Sequence, residues 1–376
     1  MPKTLLTLLA GAAALVAIVI LLLWFYLSHI QRASRNSKTE SPDPSEARRV
    51  ELPIGNARHF EMEELSLATQ NFTDTNLIGE GKLGKVYKGL LQDGLLVVIK
   101  KRRRFPSQEF VDEVRYLSSI QHPNLVTLLG YCQKNNLQFL VYEYVPNGSV
   151  SRHLYGPGQQ LNNDKLDFKH RLSISLGAAK GGLAHLHSLS PTLVHKDFKT
   201  TNVLVDENFI IAKVADAALP NFLGRYEIAG PSSLVASDEI FLAPEVRKSR
   251  KFTDKSDVYS FGVFLLELLS GKAATESLSS GSNQNLVEWV LSNLDLPNMS
   301  KIIDQRLRGT FTTKGMEDFI LLIISCLKPS SELRPTMSYV AMKLDQIFEK
   351  EMNSTAIMED STLTVTLGSQ LFQAHT

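Results

Sequence analysis

An uncharged run near the N-terminus constrains this chain more than any other single feature. No residue from Thr4 to Tyr26 carries a charge, and a helix of that length spans roughly 34 Å, enough to cross the hydrocarbon core of a bilayer. The run ends in three aromatic residues, which favour the membrane interface. A secretory signal peptide has a shorter apolar core. We therefore predict one transmembrane helix at residues 4–27, with a cleaved signal peptide as the alternative.

The charges on either side of the run predict its orientation. Only Lys3 and the α-amine precede it. Five cationic side chains follow it: Arg32, Arg35, Lys38, Arg48 and Arg49. Because the cytosolic flank of a span is enriched in Lys and Arg, residues 1–3 would form a short extracytosolic end. The rest would lie in the cytosol, beginning with a juxtamembrane linker at residues 28–71. This pattern predicts a single-pass plasma-membrane protein.

The overall composition excludes several classes of protein. With 43% hydrophobic residues in 376, the chain can bury a sizeable core, so disorder is not its dominant state. Lys and Arg number 40 against 39 Asp and Glu, so the chain lacks the basic field of a nucleic-acid-binding protein, and we predict no such partner. Its two cysteines, Cys132 and Cys326, are too few for a disulfide framework and fit a reducing compartment.

Three glycines stand at the spacing of a phosphate-binding loop. Gly79, Gly81 and Gly84 follow the G-x-G-x-x-G pattern, which occurs in a strand-turn-helix of dinucleotide-binding folds and in a strand-turn-strand flap over nucleotide triphosphates. The residues after Gly84 predict a hairpin that turns at Asp93-Gly94, and no helix begins where a dinucleotide fold needs one. The spacing therefore favours the flap, and the dinucleotide-dependent enzyme is kept as a minor alternative.

A lysine ends an apolar run in the second strand of that hairpin. In Val97-Val98-Ile99-Lys100 an apolar run leads to an ammonium group that, if buried, needs an anionic partner. Glu113 lies in the amphipathic helical pattern that follows and is a fitting partner. The alternative is an exposed lysine at a strand end and a glutamate on a solvated helix face.

A second polar cluster surrounds short apolar strands further along the chain. Asp197, Lys199 and Asn202 lie within six residues, and Asp216 follows the strand-like run at 212–215. Two carboxylates, a carboxamide and a lysine suit the binding of Mg²⁺ and the orientation of a hydroxyl for phosphoryl transfer.

These motifs, taken in order, resemble a eukaryotic protein kinase, specifically the plant receptor-like kinase and receptor-like cytoplasmic kinase group. Ala243-Pro244-Glu245, the run at 257–262 and Arg334-Pro335 add to the resemblance, which extends from about Phe60 to Phe348. It implies an α+β, bilobal protein-kinase fold, with a small β-rich N-lobe and a larger helical C-lobe.

The domain boundaries that follow are a kinase domain at residues 72–348 and a disordered tail at residues 349–376. ATP and Mg²⁺ are the implied cofactors. A protein substrate or a partner receptor kinase is the implied partner, next to the membrane.

The resemblance assigns roles to individual residues. Lys100, paired to Glu113, would hold the α- and β-phosphates. Asp197 would accept or orient the substrate hydroxyl, Lys199 would stabilise the transferred group, and Asn202 and Asp216 would bind Mg²⁺. Glu245 and Arg334 would form a structural ion pair. The residues that would contact the nucleotide are Gly79, Gly81, Gly84, Val86, Val98, Lys100, the gatekeeper Tyr142, and the hinge residues Glu143 and Val145.

Several departures from the family pattern bear on activity. Asp216-Ala217-Ala218 replaces Asp-Phe-Gly, and loss of the phenyl packing would cost about 3–5 kcal/mol unless neighbours refill the space. Asp238 stands where the family has a threonine that bridges to the catalytic aspartate. Val98 replaces the alanine that faces adenine, and Lys196 replaces arginine, so we expect weaker ATP binding and a weaker phosphate partner.

Two single-residue insertions also depart from the family spacing. Gly182 falls inside a helix, where one extra residue turns the following face by about 100°, and either Ile210 or Ile211 falls between two strands. A turn or bulge absorbs the second insertion more easily than a helix absorbs the first.

Two functions from different classes fit this sequence. One is a membrane-anchored serine/threonine kinase with ordinary or reduced turnover, because the charged groups for phosphoryl transfer are present. The other is a pseudokinase that binds and regulates an active receptor kinase, because the residues that position those groups are altered.

Overall fold

The computed structural model describes residues 57–81, 84–156, 166–207, 209–217, 239–276, 284–293 and 296–360. All of them belong to the unit Pro53–Thr376. The membrane span predicted at residues 4–27 lies outside these ranges. Within the ranges, no helix combines the length and the apolar character that crossing a membrane requires.

The N-terminal lobe is built on a six-stranded sheet. Its strands are β1 Arg58–His59, β2 Leu77–Gly81, β3 Gly84–Leu90, β4 Leu96–Arg103, β5 Leu128–Lys134 and β6 Leu137–Glu143. Their order is β1-β5-β6-β4-β3-β2, and every pair is antiparallel except β1 with β5. The predicted strand-turn-strand at the three glycines is therefore present as β2 and β3, which excludes a dinucleotide-binding turn.

Different helices pack on the two faces of this sheet. On the inner face lies α2, Gln108–Ser119, whose N-terminus is capped by the side chain of Ser107. On the outer face, a short helix, α1 Met62–Ala68, and its flanking residues bury Phe60 and Leu65 against the sheet. Residues 57–71, predicted as the end of the linker, are therefore part of the folded lobe because their apolar side chains complete this second core.

The C-terminal lobe is mainly helical, as predicted. Its helices are α3 Val150–Tyr155, α4 Phe168–Gly177, a π-helix Ala178–Ala184, α5 His185–Ser188, α6 Pro244–Ser249, α7 Asp254–Ser270, α8 Leu286–Ser292, α9 Leu296–Met299, α10 Thr313–Cys326 and α11 Met337–Asp360. Two short antiparallel strands, β7 Val203–Val205 and β8 Ala212–Val214, form a separate ladder, and Val214 bridges to Leu125 just before β5. Helix α7 is buried along nearly its whole length, which makes it the core element of this lobe.

The last helix passes the predicted domain end at residue 348. Helix α11 continues to Asp360, and Glu351 is buried because its carboxylate accepts hydrogen bonds from the backbone N–H and the hydroxyl of Thr312 at the start of α10. Twelve residues of the predicted tail are therefore helical.

The two predicted insertions are absorbed locally. The helix that contains Gly182 widens into the π-helix at 178–184, which accommodates one extra residue without turning the face that follows. A side chain on Gly182 would lie 2.5 Å from Cγ2 of Val214, so glycine is needed at this close approach. Between β7 and β8, Asp206 accepts hydrogen bonds from the N–H groups of Ile210 and Ile211, which closes the longer turn.

Candidate active site

The roof of the candidate site is the inner face of β3 and β4. Val86 pairs with Lys100, and Val98 pairs with Tyr142 on β6, so these four side chains lie on one face. Gly84 has φ +106°, and a Cβ there would lie 2.1 Å from the carbonyl oxygen of Lys101. Only glycine therefore fits at this position, where β2 turns into β3.

The other two predicted glycines lie on β2. Gly79 is opposite Val86, and Gly81 is opposite Gly84. The described part of the loop thus has the strand-turn-strand arrangement of a flap, with β2 as the edge strand of the sheet.

The predicted hinge connects the two lobes at the end of β6. The Glu143 carboxylate accepts hydrogen bonds from the N–H and the hydroxyl of Thr127, at 2.8 and 2.9 Å, and forms an ion pair of 2.7 Å with Lys213 of β8. Tyr142 and Val145 on either side are buried. The Glu143 side chain thus ties the hinge to the C-terminal lobe. Sequence reasoning did not identify Thr127 or Lys213 as members of this contact.

Two predicted catalytic residues, Asp197 and Lys199, and the predicted metal ligand Asn202 lie together in the loop before β7. The Asn202 amide nitrogen donates to the Asp197 carbonyl oxygen at 2.8 Å and lies 3.4 Å from its carboxylate. Lys199 Nζ lies 3.2 Å from Oδ2 of the same carboxylate. Since the Asn202 nitrogen is turned towards Asp197, the amide oxygen is left as an acceptor for a cation.

Asp257 of α7 fixes the backbone at the start of this loop. Its carboxylate accepts hydrogen bonds from the N–H groups of His195 and Lys196, at 2.7 and 3.0 Å, and contacts Nε2 of His187 at 2.9 Å. Lys196 has a φ of +71°, which these bonds help to maintain. The sequence carried a signal for this role, because a carboxylate next to the apolar run of α7 needs buried donors.

Lys100 forms its ion pair with Asp216 and not with Glu113. The predicted pair between Lys100 and Glu113 is absent among the described contacts, and burial raises the pKa of the Glu113 carboxyl above its ordinary value. A carboxylate next to an ammonium would have the opposite shift. The reason is geometric: Asp216, with φ +61°, places its carboxylate in contact with the ammonium of Lys100. The roof lysine and the predicted metal ligand therefore neutralise each other across the lobes.

A cavity lies behind this ion pair. It has a volume of about 30 Å³, and its lining includes Leu117 and Ile120 of α2, Tyr142, Asp216 and Ala217. That volume holds one or two waters and is much smaller than the roughly 150 Å³ that accommodates benzene in a protein core. The space beside Ala217 can therefore hold water, but it is too small for an aromatic ring.

The donor set fits a magnesium ion. The Asn202 amide and the Asp216 carboxylate supply the oxygen ligands that Mg²⁺ prefers, and the N–H of Ala215 donates to the Asn202 carbonyl at 2.8 Å, which links the two ligand-bearing segments. Ala218 and Asp238, two of the departures noted in the sequence, lie outside the described residues.

Two further acidic side chains, Glu245 and Glu267, make buried contacts around the site. Glu245 forms the predicted bidentate pair with the buried Arg334, with distances of 2.7 and 2.8 Å. Burial alone would raise the pKa of Glu245, but the hydrogen bonds and charge of Arg334 lower it. Glu267 of α7, which accepts a hydrogen bond from the Thr200 hydroxyl of the catalytic loop, has its pKa raised by burial to about 8.

Comparison with known proteins gives consistent matches. Residues 72–344 match the family described as protein tyrosine and serine/threonine kinase. The probable serine/threonine-protein kinase PBL3 of Arabidopsis thaliana is 38% identical over 310 residues, which cover 79% of this chain and 71% of PBL3. The probable leucine-rich repeat receptor-like protein kinase At5g49770 of the same plant is 40% identical over 297 residues, 77% of this chain and 30% of that protein.

Among solved structures, the pseudokinase domain of BIR2, an immune regulator of the RLK/Pelle family, is similar with a TM-score of 0.64 and 28% identity. The match covers 85% of this chain and 98% of that chain.

Proposed function

Because this chain belongs to the protein kinases, in their plant receptor-like and receptor-like cytoplasmic branch, we propose that it transfers the γ-phosphate of ATP to serine or threonine of a protein partner, at a reduced rate. The observation that carries the proposal is the arrangement of Asp197, Lys199 and Asn202, whose polar atoms converge within 3.4 Å. Phosphoryl transfer depends mainly on positioning and charge stabilisation, and this trio supplies both.

Each residue has a defined task in this reaction. The Asp197 carboxylate orients the substrate hydroxyl and receives its proton, and the Lys199 ammonium stabilises charge on the transferred group. Asp257 keeps the loop rigid through the N–H groups of His195 and Lys196. Asn202 and Asp216 would hold Mg²⁺, which supplies charge neutralisation at the phosphates when bound.

The ion pair between Lys100 and Asp216 accounts for the reduced rate. Both groups are needed for MgATP, the ammonium for phosphate oxygens and the carboxylate for the metal. Binding of MgATP must first separate them, and Glu113 must then approach Lys100. The free-energy cost of this rearrangement weakens the binding of MgATP by the same amount.

A pseudokinase is the second candidate, and the separation of Lys100 from Glu113 favours it. In that case the chain would bind an active receptor kinase and regulate it without phosphoryl transfer. The similarity to the BIR2 pseudokinase domain supports this alternative.

The two candidates are separated by measurements on the full chain purified in detergent. We expect MgATP to raise the melting temperature and ³²P to be incorporated into the chain or a bound partner. Replacing Asp197→Asn should abolish incorporation while leaving the MgATP-induced shift, whereas the exposed control Asp93→Asn should leave both unchanged. Incorporation at background level in the unaltered chain, matched by Asp197→Asn, would establish the pseudokinase instead.

We also propose that residues 4–27 anchor the chain in the plasma membrane with the kinase domain in the cytosol. The length of the uncharged run and the cationic residues after it support this arrangement. A tagged full chain should stay in the membrane pellet after alkaline carbonate extraction, and deletion of residues 4–26 should move it to the supernatant. A full chain that is extracted by carbonate contradicts the proposal.

A further inference from the structure

A compact group of cations lies shortly after Glu245, at the end of helix α6. Arg247 and Lys248 lie in the last turn of α6, and Arg250 and Lys251 follow in the connection to α7. We call these four residues the basic turn. Arg250 has φ +56° and ends helix α6, so four cations fall within the five residues 247–251 at the end of this helix.

The charge of the basic turn is not balanced within the described part of the chain. Glu245, the carboxylate in the same helix, is occupied by the bidentate bond to Arg334. None of the four cations lies within 4.0 Å of a described carboxylate, and Arg247, Lys248 and Lys251 are exposed. The chain as a whole has a net charge of only +1, so this cluster is a local feature.

The basic turn is fixed to the segment that precedes it. Arg247 donates from Nε to the carbonyl oxygen of Leu242 at 3.0 Å and from its terminal nitrogen to that of Ile240 at 3.4 Å. The hydroxyl of Ser260 in α7 donates to the carbonyl of Phe241 at 2.8 Å. Residues 240–242 are thus held between Arg247 and the core helix α7, so the Arg247 guanidinium keeps a defined position relative to that segment.

The basic turn also borders the catalytic loop. Phe252 directly follows Lys251, and Nζ of Lys196 lies 5.7 Å from the centre of the Phe252 ring. Lys196 precedes Asp197, the residue proposed to orient the substrate hydroxyl. A protein segment that presents a hydroxyl to Asp197 therefore passes close to a surface with four cations.

We propose that the basic turn binds an acidic or phosphorylated segment of the protein partner. The inference rests on the proposed function only in requiring a protein at this site, whether it is a substrate or a regulated kinase. Anionic side chains complement the unbalanced charge, and the Arg247 guanidinium, preoriented by two carbonyls, suits carboxylate or phosphate oxygens. A flat anionic membrane is less well matched, because the cations lie on a bend next to the catalytic loop.

The test measures binding of fluorescent peptides to the full chain in detergent. Nucleotide is left out, so a negative result would count against this proposal without bearing on the proposed phosphoryl transfer. One peptide has a central serine flanked by four glutamates, and its control has four glutamines. We expect the glutamate peptide to bind about tenfold more tightly at low salt, with the preference declining as the ionic strength rises.

Matched variants locate the binding surface. Lys248→Glu with Lys251→Glu should remove the preference, and the milder Lys248→Gln with Lys251→Gln should reduce it by about threefold. Lys314→Glu with Lys350→Glu makes the same charge change at exposed positions on α10 and α11 and should leave the preference unchanged. Melting temperatures show that each variant is folded.

Three outcomes would overturn the proposal. In the first, the unaltered chain binds both peptides equally. In the second, the control variant loses the preference as fully as the basic-turn variant. In the third, the full chain in detergent binds soluble short-chain phosphatidylserine through Lys248 and Lys251 but does not bind the glutamate peptide, which would assign the surface to the membrane.

Discussion

Two glutamates that were both expected to face a cation differ in their surroundings. Glu245 has the two hydrogen bonds of Arg334 and a lowered pKa. Glu113 has no ion pair among the described residues, and burial raises its pKa. The neutral replacement Glu245→Gln leaves the buried guanidinium of Arg334 without its counter-charge, and we expect it to cost about 3 kcal/mol of unfolding free energy.

Glu113→Gln is the matched comparison, and it removes a charge that burial disfavours. We expect the unfolding free energy in urea at pH 7 to be unchanged or slightly raised. A loss as large as that of Glu245→Gln would mean that Glu113 is paired with Lys100 in solution without nucleotide.

Glu267 makes the stability of the protein depend on pH. Its pKa is about 8 in the folded chain, against an ordinary value of 4.5. Between pH 4.5 and pH 8 the folded state therefore keeps a proton on Glu267 that the unfolded state has lost. Stability from this group is fully present below about pH 4.5 and is lost as the pH rises towards 8, by up to about 1.4 kcal/mol per pH unit. Glu267→Gln, measured by urea unfolding between pH 5 and 8, should flatten this decline, and an unchanged slope would contradict the assignment.

At the scale of elements, the π-helix at 178–184 predicts that this helix tolerates the loss of one residue. If Gly182 is the extra residue, its deletion should convert this stretch to a regular α-helix and keep α5 in place, because a π-helix adds a residue without shifting its flanks. We expect the melting temperature of the deletion to stay near that of the parent. Gly182→Ala should cost about 1–3 kcal/mol because its methyl group meets Val214.

Deletion of Leu266 from the regular helix α7 is the control for this experiment. It should turn the buried face that follows by about 100° and prevent folding. If deletion of Gly182 is equally damaging, the insertion lies elsewhere in the helix.

The elements differ in how far the sequence could predict them. The hairpin of β3 and β4 was predictable, because its turn residues and apolar runs determine it locally, whereas the roles in the loop from Asp197 to Asn202 followed from the family resemblance. The pairing of Lys100 with Asp216 was not predictable, because it depends on the distance between two lobes and on a positive φ at Asp216. The cover formed by α1 was also missed, since a seven-residue helix gives too short a pattern to reveal which face it buries.

At the scale of the whole molecule, Lys100 and Asp216 link the lobes directly. Asp216→Asn should release the lysine for phosphate while removing a metal ligand. We therefore expect ATP alone to raise the melting temperature of this variant at least as much as that of the parent, and added Mg²⁺ to give a further rise only in the parent. The Asp93→Asn control should behave as the parent does. An equal effect of Mg²⁺ on the Asp216→Asn variant would exclude Asp216 as a ligand.

The second core on the outer face of the sheet determines where a recombinant fragment can begin. A gene truncated to start at Phe72, the first residue of the family match, would leave Val97, Ile99, Phe139 and Val141 without the cover of Phe60 and Leu65. Bare apolar surface of this kind promotes self-association, so such a product should precipitate or elute as aggregates. A soluble preparation needs the codons from Arg58 onward.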